Sequence, residues 1–145
     1  MLDQVVTMFD GMQRMMKKLK KASYEVNMKE FRRQNGHFFN EMIEYVEKAD
    51  EKAEAAEEIA RIFVNAVEEE FTVNGRIKGT IQADLNFFMI YYVFPAILLT
   101  ESGQAKLLAD TLCDAWGSTF KDSKIGYTDY DTLYKSFKEK IFGIF

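Results

Sequence analysis

The chain has 145 residues, 48% apolar and 29% charged, with a formal charge of −4. Those values suit one globular domain, residues 1–145, and exclude a disordered or collagen-like chain. One cysteine excludes an internal disulfide, one histidine excludes a three-histidine zinc centre or a paired di-iron centre, and one proline with eight glycines argues against a many-stranded β fold.

The first helix is predicted over residues 2–22. Val5, Phe9, Met12, Met16 and Leu19 recur at steps of four and three, Met8 and Met15 widen that face, and Asp3 is the expected N-cap. Lys17, Lys18, Lys20 and Lys21 make the segment basic, and residues 37–74 are strongly acidic. That contrast favours antiparallel pairing of the two segments, a modest effect in salt. Asn35-Gly36 is the clearest turn signal in the first half.

A seam follows. Phe39, Met42, Val46, Ala49, Ala53, Ala56, Ala60, Phe63 and Val67 alternate steps of three and four, with neither Gly nor Pro from Phe38 to Asn74. The pattern predicts one helix over about 38–73, roughly 50 Å long, whose alanine centre admits a close partner. A cap at Asp50, breaking the helix there, is the alternative. Nine seam positions exceed what one short neighbour covers, so a homodimer is expected along this helix.

Asn74-Gly75 and Gly79 mark a connection. Residues 80–100 are predicted as a central helix, buried all round, capped by Thr80 and kinked at Pro95. Its uncharged core, Leu85 to Leu99, has fifteen residues, short of the roughly 20 that span a bilayer, so no membrane span is expected. Ser102-Gly103 is a break. Residues 103–120 form an amphipathic helix with Leu107, Leu108, Leu112, Ala115, Trp116 and Phe120 inward. Thr128 with Asp131 resembles a capping box for a last helix over about 129–142. The expected fold is therefore all-α: one domain, a bundle of five or six helices around the segment near 80–100.

Candidate chemistry is sparse. His37, Glu41 and Glu44 share a helix face, but one histidine is too few for a di-metal site. Cys113 lies among apolar neighbours, which raise a thiol pKa, and His37 is the one available base. No P-loop, Gly-x-Gly-x-x-Gly, Gly-x-Ser-x-Gly or EF-hand loop occurs. Neither enzymatic activity, a cofactor nor a metal is expected. Asn86, Tyr91, Tyr92 and Cys113 place polar or reactive groups in very apolar stretches. Lining a cavity, they would suit a small, mostly apolar ligand.

The negative charge opposes nucleic-acid binding. The first ten residues lack a basic, apolar leader pattern, and with a lone thiol the expected compartment is the cytoplasm. The function expected is a helical interaction module, self-associating or with a protein partner. The alternative is a sensor-like domain that binds a small apolar molecule.

Overall fold

Residues 2–11, 24–72, 79–120, 124–125 and 128–129 are described by the computed structural model. Among them the chain is an all-α bundle. Its helices are α1 (Leu2–Asp10), α2 (Tyr24–Lys48), α3 (Lys52–Phe71), α4 and α5 (Ala105–Phe120). Helix α4 joins an α-helical stretch, Gly79–Phe88, to a π turn, Met89–Val93, and a second α-helical stretch, Phe94–Leu98. A two-residue antiparallel pair, β1 (Lys124–Ile125) with β2 (Thr128–Asp129), lies against the start of α4. Thr128 pairs with Ile125 in it, and the capping-box partner expected at Asp131 lies outside the described residues. The lysine run at 17–21, Met12, Met15, Met16, the side chain of Phe120 and the helix expected at 129–142 beyond Asp129 lie outside the described residues.

Helix α1 starts at Leu2, so Asp3 lies in its first turn rather than at the cap. Helix α2 runs straight through Asn35-Gly36. A helical glycine costs about 1 kcal/mol against alanine. Phe31, Phe38, Phe39 and Met42 are all buried around it, and each is worth roughly 1.5–3 kcal/mol of burial. Packing therefore overrides the turn signal. The Asn35 amide donates back to the Phe31 carbonyl at 3.1 Å, so it bonds along the helix instead of closing a turn.

The long helix expected over 38–73 is two helices. The break falls at Ala49–Glu51, near the alternative position, although the cap residue is Glu51 and its side chain makes no capping bond. Lys52 supplies the missing chemistry. Its ammonium donates to the carbonyls of Glu47 at 2.7 Å and Ala49 at 3.1 Å, satisfying the open end of α2. Helices α2 and α3 then fold back as an antiparallel hairpin. Phe38 meets Phe63, ring centroids 6.4 Å apart, and the Tyr45 hydroxyl donates to Glu58 at 2.9 Å.

The seam therefore closes on itself. Phe39, Met42 and Val46 on one arm and Ala56, Ala60, Phe63 and Val67 on the other are buried, and Ala53 at the bend is exposed. The close neighbour that the alanines admit is α5, which makes the most extensive contact with α3. Leu108, Ala109, Leu112 and Trp116 are its fully buried inner face.

Phe9 joins the layers. Its ring lies 5.9 Å from Phe63 on α3, 5.4 Å from Phe88 on α4 and 6.5 Å from Trp116 on α5. Phe31 joins α2 to α4 through Phe88 at 5.2 Å and Tyr92 at 5.7 Å.

The irregularity expected at Pro95 is the π turn just before it. In a regular α-helix the proline ring would strike the Tyr91 carbonyl. A wider turn relieves that collision, and the Phe94 amide reaches back five residues to the Met89 carbonyl. After Leu98 the chain turns. Arg32 of α2 donates to the Leu99 carbonyl at 3.2 Å, and the Ser102 hydroxyl donates to Glu47 while accepting the Gln104 amide at 3.1 Å. These bonds satisfy helix ends and pin the 99–104 turn to α2.

Candidate functional site

Of the four residues expected to line a cavity, Asn86, Tyr91 and Tyr92 lie on α4 and Cys113 lies on α5. Asn86 is fully buried, and its Oδ1 accepts the Trp116 indole N–H at 2.7 Å. Its Nδ2, equally buried, has no acceptor among the described residues. Tyr92 is buried against Phe31 and Phe88 and is hydrogen-bonded to Asn27 of α2. Burial pushes the Tyr92 hydroxyl above its ordinary range, and the Asn27 bond opposes that rise. Cys113 is buried in the α5 inner face. Tyr91 points the other way, half-buried, with its ring 4.4 Å from Phe87.

None of the four lines either of two clefts on the surface. One, about 670 Å³, lies between α2 and the end of α4 and is lined by Arg32, Arg33, His37, Asn40, Thr100 and Glu101 among others. Arg33 there pairs with Glu30 at 2.5 Å, and the His37 Nε2 lies 3.0 Å from Glu41. The other, about 300 Å³, lies between α3 and α5 beside Glu57, Arg61 and Asp114. Among the described residues no three His, Cys, Asp or Glu side chains are grouped to hold a metal. The His37–Glu41–Glu44 face is divided: His37 meets Glu41, and Glu44 pairs with Lys48 at 2.6 Å, which holds its carboxyl below the usual range. The rest of the acidic set, Glu47, Glu51, Glu54 and Glu58, is exposed.

Helix α4 is not buried all round. Its more accessible residues are Ile81, Ala83, Asp84, Phe87, Tyr91 and Pro95, and from Phe87 onward they step by four, continued by Leu99 just beyond its end. Phe87 is 42% exposed and Leu99 38%, and Phe87 stacks obliquely on Tyr91. From Phe87 to Leu99 this stripe carries no charge. Four residues of regular α-helix turn about 400°, so positions four apart drift sideways. The π turn winds fewer degrees per residue and keeps Phe87, Tyr91 and Pro95 closer to one line.

The sequence signal for this stripe is the step of four from Phe87 to Leu99, hidden because the opposite face is just as apolar. The stretch Ile81–Leu98 is long and apolar enough to cross a membrane by length and composition, more than the fifteen uncharged residues alone suggest. Two-thirds of it is buried inside the protein, as a core helix would be.

Comparison with known protein families, with curated proteins and with solved structures finds no match for this chain.

Proposed function

We propose that the chain is a non-enzymatic helical interaction module that self-associates through the outward face of α4. The observation that carries this reading is the uncharged stripe Phe87–Tyr91–Pro95–Leu99. Single exposed apolar residues are ordinary, whereas a contiguous row of them on one helix marks a contact surface. The α2–α3 seam, which first suggested a dimer, finds its partners within the chain. The stripe takes over its role.

A four-residue stripe is small beside a standard interface of about 800 Å² per partner, so the association is reversible and concentration-dependent. Sedimentation equilibrium of the wild type should show a monomer–dimer equilibrium. The double variant Phe87→Ser, Tyr91→Ser should abolish it with an unchanged circular dichroism spectrum. A wild-type chain that is monomeric at roughly 1 mM, a limit set by about 4 kcal/mol of binding, overturns the proposal.

A second reading, a small apolar ligand with one acceptor atom, is favoured by the Asn86 Nδ2, a buried donor with no acceptor among the described residues. Native mass spectrometry of the purified chain tests it: a retained small molecule that is lost in Asn86→Leu supports it, and the bare mass in both counts against it.

A further inference from the structure

The two ends of the α4 stripe carry opposite charges. At the start lies Asp84, half-buried and without an ion pair among the described residues. At the far end lies exposed Arg32, held there by its bond to the Leu99 carbonyl and likewise without an ion pair among those residues. Between them the stripe is nearly symmetric about Tyr91. Phe87 and Pro95 stand four residues to either side, Asp84 seven before and Leu99 eight after. At 1.5 Å per residue those ends lie about 10 and 12 Å from the centre.

We infer that two copies pair through α4 in antiparallel fashion about a two-fold axis at Tyr91, with each Asp84 against the other copy's Arg32. This rests on the reading of the stripe as a self-association face. A parallel pairing sets Asp84 against Asp84 and Arg32 against Arg32. Both pairings are isologous, but the antiparallel one makes two opposite-charge contacts from the same residues and opposes the helix dipoles. Phe87 then meets the other copy's Pro95 turn, and the two Tyr91 rings meet at the axis. Glu101 shares the Arg32 corner and works against the contact, while Arg33 beside it is already paired with Glu30.

Two experiments on the full chain test the geometry. In sedimentation equilibrium, Asp84→Arg and Arg32→Asp should each weaken the dimer by about tenfold, because two contacts change sign. The double reversal should recover most of that loss, and Glu101→Gln should tighten the wild type. Because Arg32→Asp also removes the bond to Leu99, cysteine mapping provides an independent reading. Tyr91→Cys copies should cross-link to each other through a short thiol reagent. Asp84→Cys should cross-link to Leu99→Cys in a mixture but not to itself, and buried Cys113 stays silent.

Self-linking of Asp84→Cys, or charge reversals that leave association unchanged while the Phe87→Ser, Tyr91→Ser pair abolishes it, overturns the antiparallel arrangement and leaves self-association standing. A monomeric wild type, including one that instead floats with lipid vesicles, overturns both.

Discussion

The α2–α3 hairpin carries an apolar seam through a strongly acidic segment, helix α4 carries an uncharged run from Leu85 onward, and the two end in opposite ways. The hairpin's seam looks long enough to need a second molecule. It needs none, because a break at Ala49–Glu51 folds one half against the other and α5 fills the alanine gap. Helix α4 looks saturated with burial on every side, yet Phe87 on it and Leu99 just beyond its end are more than a third exposed. Periodicity reports which residues avoid water. It does not report whether the surface that covers them belongs to the same chain.

Substitutions sharpen that contrast. The largest effect is expected at Phe88, whose ring is fully buried against Phe9, Phe31 and Tyr92. Phe88→Ala should cost about 3–5 kcal/mol in urea unfolding, and its neighbour Phe87→Ala less than about 1 kcal/mol. Similar losses at the two positions would erase the distinction between the faces of α4. Next comes Trp116→Phe, which leaves the Asn86 Oδ1 without its donor and should cost about 2 kcal/mol.

Tyr92→Phe should cost about 1 kcal/mol at neutral pH through its lost bond to Asn27. It should also flatten the alkaline limb of the stability profile. Burial raises the folded pKa of this hydroxyl, so the folded chain holds its proton to higher pH than the unfolded chain does. The contribution is complete below about pH 10, the unfolded value, and is lost as pH rises through the folded one. A Tyr92→Phe profile that still falls as steeply above that pH removes Tyr92 as the cause. The smallest effect is expected at Ala53, exposed at the bend. Ala53→Glu should change stability by less than about 0.5 kcal/mol and leave any dimer intact, where a continuous seam would have been split by it.

Much of the architecture is legible before folding. The apolar steps at Phe39–Met42–Val46 and Leu108–Leu112–Trp116 mark helix faces that are indeed buried, and Ser102-Gly103 marks a real break. The failures share a cause. Asn35-Gly36 has the chemistry of a turn, but Phe31, Phe38 and Phe39 hold the helix through it. The bend at Ala49–Glu51 has no glycine or proline, and its closing group is a lysine reaching backwards from the next helix, which no local pattern announces.

The site residues were legible only as types. Asn86 and Tyr92 do sit in apolar surroundings, but Trp116 and Asn27 engage them across thirty and sixty-five residues of sequence. The outward stripe was masked by composition, because both faces of α4 are equally rich in aromatic and aliphatic residues.

The π turn at Met89–Val93 has a consequence for how this chain tolerates changes of length. Such a turn is a helix carrying one surplus residue, and it sets the angular phase between the two halves of α4. Five residues of the wide turn sweep about the same angle as four of a regular α-helix, so deleting one at 89–93 would restore a plain α-helix and keep Phe94–Leu98 on the faces they hold now. A deletion elsewhere along α4 has no such slack and would rotate the rest of the helix by about 100°. Pro95 bounds that tolerance, because its ring would again meet the preceding turn. The central helix thus has one place where a residue can be lost without turning its buried face outward.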